Sequence, residues 1–162
     1  MSTAINTAKV TGRRKLHFNS LDDILADVEQ LAKAKEIRTL GNWSADQILK
    51  HVATLMNKSI DGFTTRPPWF VRLIVRLFFR SRFLHKPMAA GFKLPAAAQA
   101  ELVQPPTTLA DGFNAIRAAI DRLKTETKRM PSPVLGEMTI EEWTQLHCRH
   151  SELHLSFLLQ AP

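Results

Sequence analysis

The chain is predicted to be all-α, a four-helix bundle, on three observations. Four segments open with a helix-capping pair. Each is followed by apolar residues at helical spacing, and no window of alternating apolar and polar residues competes as a strand. At 162 residues the chain reads as a single domain over 1–162, long enough to bury a substantial core.

Residues 1–15 carry no helix signal and are expected to form a flexible N-terminal arm. The first helix starts where Ser20 and Asp23 precede LDDILADVEQLAKA, with Leu21, Ile24, Leu25, Val28 and Leu31 on its apolar face. The second follows the capping box of Ser44 and Gln47, with Trp43 and Ile48 at its staple positions and Asp61-Gly62 at its end. Its apolar face carries Ile48, Val52, Leu55 and Met56. Residues 62–107 form an insert holding an extra helix, 69-WFVRLIVRLFFRSRFL-84, and then a Pro- and Ala-rich passage, 87–106, that reads as a covering loop. Thr108 with Asp111 starts the third bundle helix, which turns Phe113, Ile116, Ile120 and Leu123 inward. Pro131, Pro133 and Gly136 separate it from the last. That helix opens on the box of Thr139 and Glu142, with Met138 and Trp143 as the staple.

The net charge of +7 is concentrated. Between Gly62 and Ala100 there is no acidic residue, while Arg66, Arg72, Arg76, Arg80, Arg82, Lys86 and Lys93 are all basic; the remainder balances. This predicts a local anionic contact rather than a nucleic-acid-coating protein. Nucleic-acid binding is not expected, since no recognised motif or stacking-aromatic array accompanies the charge. One cysteine, Cys148, excludes an internal disulfide. The first residues lack the apolar core of a signal peptide, and no run offers the ~20 apolar residues of a membrane span. A cytoplasmic location is the expectation.

The last helix concentrates half of the chain's six histidines, in 147-HCRHSELH-154. Ile140, Trp143, His147, His150, His154 and Phe157 alternate by three and four residues and so line one stripe, the one that should face the core. Buried imidazoles need partners. They can form a polar layer bonded to backbone, water or each other, or they can hold a metal. His150 and His154 are one turn apart and can converge on one ion. His147 and His154 stand about 10.5 Å apart along the axis, too far to share one. His51, flanked by Ile48 and Val52, points inward from the second helix. If that helix runs antiparallel to the last, His51 lies at a matching depth. Three imidazoles with open coordination positions suit a catalytic divalent metal, zinc or nickel before magnesium or calcium.

GNWSADQILKHVA with a C-terminal HSELH helix resembles the DinB/YfiT-like metalloenzyme superfamily, and LGNWSADQILKHVATLMNKSIDG, GFKLP and EEWTQLHCRHSELHLSFL are similar to one branch of it, a domain of unknown function. The resemblance covers about residues 16–160. It implies a DinB-like four-helix bundle with the extra helix and long loop between its second and third helices. It also implies a divalent metal held by His51, His150 and His154, and a low-molecular-weight thiol as cosubstrate. His147 is not required by the family's pattern.

The remaining residues are read more plainly. His17 and His85 are surface histidines, Cys148 is a buried inert thiol, and Glu152, on the back of the histidine stripe, is solvated. Trp43 and Trp143 are staple and core residues. Among Asn42, Gln47, Asn57 and Asp61, only Gln47, one turn from His51, has a geometric reason to approach it, and capping accounts for it better. The 69–84 helix is read first as a cover with its arginines outward, second as a homodimer surface; membrane contact ranks last. Arg72 and Arg76 are the candidates to receive an anionic group of a small-molecule substrate. The expected function is a metal-dependent hydrolase or thiol-dependent S-transferase. The rival reading is a non-enzymatic binding or scaffold protein with the histidines as a polar core layer.

Overall fold

The four capping pairs all mark helix starts. The structure, a computed structural model, describes residues 4–93 and 95–160. Ser20 opens α1 (Leu21–Ala32), Ser44 opens α2 (Ala45–Asp61), Thr108 opens α6 (Leu109–Thr125) and Thr139 opens α7 (Ile140–Leu155). At three of them the cap hydroxyl accepts the amide three residues on, Asp23, Asp111 and Glu142 respectively, while that residue's carboxylate accepts an amide at the cap. Between α2 and α6 lie α3 (Trp69–Ile74), a π-helical turn (Val75–Phe79), α4 (Arg80–His85) and α5 (Ala96–Leu102).

α1 and α2 each pack against both α6 and α7, around one apolar core. Ile24, Val28 and Leu31 meet Leu49, Val52, Met56, Ile116, Ile120 and Leu155 there, each buried. The tightest approach is at Gly112 in α6. A Cβ on it would stand 2.9 Å from the Asp46 Cα and 3.2 Å from a Leu49 methyl, so glycine is what lets α2 and α6 close. A smaller cluster of Leu84, Leu135, Trp143 and Leu146 seats α4 on the start of α7.

The fold is mostly helical but not wholly so. Two three-residue strands, β1 (Ile37–Thr39) and β2 (Leu158–Gln160), pair antiparallel, Arg38 opposite Leu159. Three residues are too few to show an alternation in sequence, and their pairing depends on α7 delivering the chain's end beside α1.

Residues 4–15, expected as an arm, lie along the helices. The Arg14 guanidinium makes a bidentate pair with Asp27 at 2.6 and 2.8 Å and donates to the Leu155 carbonyl, while Asn42 exchanges two hydrogen bonds with the Ile5 backbone. This segment overturns the reading of Glu152 as solvated. Glu152 is buried, because residues 10–18 cross the back of α7. Its Oε1 accepts the Phe18 amide at 2.6 Å and pairs with Arg149 at 2.7 Å, and Arg149 donates to the Phe18 carbonyl. A helical wheel drawn for α7 alone treats that face as water.

The 69–84 helix is turned over relative to its first reading. Arg80 donates to Glu142 and to the Leu135 and Glu137 carbonyls, so this arginine faces the bundle. Leu84 is buried beside it, and the large apolar residues face out. The π turn explains the alignment. Arg72, Arg76, Arg80 and Leu84 are spaced by four, and each such step overshoots a full turn of α-helix by about 40°. One wide turn takes up most of the accumulated drift, so the stripe stays on one side.

Candidate metal centre

His51 projects from the middle of α2 because Ile48 and Val52 on either side of it are core residues. His150 and His154 project from the last two turns of α7. The structure brings the three together: one nitrogen from each lies within 4.8 Å of the others. The His51 and His150 Nε2 atoms are 3.2 Å apart, and ring centroids are 4.5 Å apart for both His51–His154 and His150–His154.

The tautomer of His51 follows from its other nitrogen. Nδ1 is 3.0 Å from the Leu102 carbonyl, which can only accept, so Nδ1 carries the proton and Nε2 presents a lone pair to His150. An imidazole whose outer N–H is fixed by a carbonyl is oriented as metal-ligating histidines are. His150 cannot satisfy both its nitrogens, since its Nδ1 is buried without a partner. That atom is unpartnered whether the Nε2 atoms share a proton or face an ion; what fits a cation is the convergence of one nitrogen from each of three imidazoles.

Burial holds all three imidazoles neutral. It lowers the pKa of His51, with the Leu102 bond opposing. It puts His150 well below the ordinary imidazole value, helped by the charges of His154, His51 and His147, and His154 likewise, helped by His51 and Arg13. Neutral imidazole is the form that binds metal. His51 is buried, but His150 and His154 are half-buried, so the cluster is not a sealed layer.

His147 stands apart. Its Nε2 is 3.1 Å from the Ser59 hydroxyl, which itself donates to the Met56 carbonyl, so Nε2 is the protonated nitrogen. Its ring stacks on Trp143 at 5.4 Å, and burial lowers its pKa to about 3, aided by the charge of Arg129. Cys148 is buried, its thiol pushed up to about 11 chiefly by that burial. His17 and His85 are exposed. The Gln47 amide oxygen accepts the Ser44 amide, a cap contact. Asn57 and Asp61 accept from Arg122 and not from the cluster.

The arginines of the insert go elsewhere. Arg76 packs over Gly136, ahead of α7, at the end opposite His154. Arg72 is half-buried, and no hydrogen bond among the described residues joins either arginine to the imidazoles.

Three contributors were not read from sequence. Trp43 is more than a staple: it stacks on His154 at 5.7 Å and 10° and tilts against His51 at 4.9 Å, walling one side of the cluster. Its position eight residues before His51, about two turns, was the available signal. Leu102 acts through its carbonyl, which no side-chain pattern reveals. Arg13 belongs to the segment read as an arm. Its guanidinium lies over the Phe157 ring at 4.8 Å, its Nη1 is buried without a partner, and its charge reaches His154. With Lys15, Met88, Leu153 and Ser156 it lines a cavity of about 410 Å³.

Neither the curated proteins nor the solved structures offer a match to the chain. No helix among the described residues is long and apolar enough to cross a membrane. A family model described as "Protein of unknown function (DUF1569)" matches residues 10–161, nearly the whole length and all three clustered histidines. The chain therefore belongs to the DUF1569 family.

Proposed function

We propose that this protein is a metal-dependent enzyme of the DinB-like type, a hydrolase or thiol-dependent S-transferase, with a zinc or nickel ion held by His51, His150 and His154. The observation that carries the reading is the convergence of three neutral imidazole nitrogens within 4.8 Å, one of them pre-oriented by a carbonyl and two only half-buried. A divalent ion held by three imidazoles supplies Lewis acidity to a water or a low-molecular-weight thiol.

The chain's own residues do the rest. Leu102 fixes the His51 lone pair, and Trp43 excludes water from one flank. Arg13 takes over the anion-receiving role first given to Arg72 and Arg76, because its unpartnered Nη1 can donate to a carboxylate or phosphate of a small-molecule substrate. The scaffold reading, with the histidines as a polar core layer, accounts for His147 on Ser59 but gives no reason for three imidazole nitrogens to converge within 4.8 Å with two of the residues half-buried.

Elemental analysis of protein purified without a histidine tag tests the proposal. The expected result is about one equivalent of zinc or nickel per chain, lost in His150→Ala, together with turnover of ester or thiol-acceptor substrates that His150→Ala abolishes. Stoichiometric metal in a chain lacking both His150 and His154 would overturn the ligand assignment. A metal-loaded protein inert toward every such substrate, with or without thiol, would overturn the enzyme reading.

A further inference from the structure

The insert turns an unusual surface outward. Trp69 is 72% exposed, Leu77 67% and Phe78 75%, and Phe70, Leu73, Ile74, Phe79 and Phe83 are exposed beside them. These residues come from three consecutive helical pieces, and the only large side chain of α4 turned fully inward is Leu84. A contiguous apolar face of this kind marks a contact site, since monomeric proteins rarely leave one open to water. Its charge is one-sided. Arg66, Arg82 and Lys86, in the segment or next to it in sequence, are exposed, and no acidic residue occurs between Gly62 and Ala100.

That charge decides the occupant. A second copy meeting this face across a two-fold axis would bring the same cations against each other, with no carboxylate of the segment to offset them. A flat anionic surface complements both features at once: apolar side chains enter the acyl boundary while flanking Lys and Arg meet headgroup phosphates. Aromatic residues such as Trp69 and Phe70 suit that boundary. The segment lies on such a surface and does not cross it, as no helix here is long and apolar enough to span.

We propose that the outward face of α3, the π turn and α4 is a docking surface for anionic lipid, seating the protein on a membrane through Trp69, Phe70, Leu73, Leu77 and Phe78. Arg80 and Leu84 anchor the segment to the bundle beneath. The proposal is independent of the metal centre.

Co-sedimentation of the full chain with vesicles tests it. Vesicles of equimolar phosphatidylglycerol and phosphatidylcholine should pull the protein down, and pure phosphatidylcholine should retain at least tenfold less, with binding falling as salt rises. Phe78→Glu with Leu77→Glu should abolish sedimentation while circular dichroism and metal content stay unchanged; both side chains are exposed, so folding does not depend on them. Arg82→Glu with Lys86→Glu should lower binding to the anionic vesicles severalfold. Failure to sediment with either vesicle would overturn the proposal. So would equal binding to both, or a solution dimer that Phe78→Glu converts to monomer without vesicle binding in the wild type.

Discussion

The Nε2 atoms of His51 and His150 face each other across 3.2 Å, and the Leu102 carbonyl commits His51 to offering a lone pair there. Two neutral imidazoles at that distance can share one proton, and the third ring, His154, closes on both with centroids 4.5 Å away.

Metal retention should depend on pH in a stated direction. If the three imidazoles hold an ion, they bind it in their neutral form, and protonation competes with it. Dialysis at stepwise lower pH, followed by metal analysis, should show the ion kept through the unperturbed imidazole value of ~6.5 and lost only in stronger acid, because burial lowers all three folded imidazoles below that value. Retention that ignores acid and also survives loss of both His150 and His154 would point to carboxylate ligands instead.

Acid stability of the metal-free protein should carry the signature of His147. Its folded pKa, about 3, lies below the unfolded value, so the unfolded chain binds the extra proton. Stability from this group is fully present above ~6.5 and is lost as pH falls from there toward 3. Urea midpoints measured in chelator should therefore decline across that window in the wild type. The decline should be shallower in His147→Gln, which keeps a polar group near Ser59 but does not titrate.

Trp43 should report occupancy. It stacks on His154, so a cation arriving there should change its emission. Titrating zinc into the metal-free protein should alter tryptophan fluorescence, and Trp43→Phe should lose the response while keeping the stoichiometry. A response carried intact by Trp69 and Trp143 would sink this assignment.

Glu152→Ala should be among the costliest single changes. It leaves Arg149 buried without its carboxylate and frees the Phe18 amide, a loss of about 3–5 kcal/mol for a broken buried pair. Chemical denaturation measures it. The same variant should loosen residues 10–18, so trypsin should cut at Arg13, Arg14 or Lys15 faster than in the wild type.

Gly112→Ala should destabilise although alanine favours helix. Its Cβ would press on the Asp46 backbone, which cannot rotate away, so α2 and α6 must separate. A cost of about 1–3 kcal/mol is expected from overpacking, read as a lower urea midpoint at unchanged slope.

What could be read in the sequence was whatever is encoded locally. Ser20, Ser44, Thr108 and Thr139 are caps within a few residues of the groups they satisfy, so the four longer helices were legible. The histidine stripe is a periodicity of one helix, and matching the depth of His51 needed only an antiparallel assumption. Glu152 was misread because its partner segment, residues 10–18, is more than a hundred positions away and has no pattern of its own. The inverted face of α3 and α4 was misread because arginines usually face water, and only the presence of Glu142 and two carbonyls beneath Arg80 makes the inward arrangement favourable. α5, seven residues without a polar cap, lies in a passage whose composition suggested only loop.

Leu102, the last residue of α5, ties the insert to the histidine cluster through its carbonyl on His51 Nδ1. Its neighbour Glu101 accepts the Thr64 and Thr65 amides and pairs with Lys58 of α2 at 2.9 Å. Those contacts outweigh its desolvation and hold its pKa at about 2, so α5 is clamped to α2 whenever that carboxylate is charged. The insert that presents Phe78 to its surroundings thus also reaches His51, where burial lowers the basicity and the Leu102 carbonyl partly restores it. Linkage then requires reciprocity: an ion that binds better when Leu102 holds His51 Nδ1 would strengthen that contact by the same factor. The contact of Leu102 with His51 therefore ties the C-terminal end of the insert to the imidazoles, whatever the outward face of α3 and α4 meets.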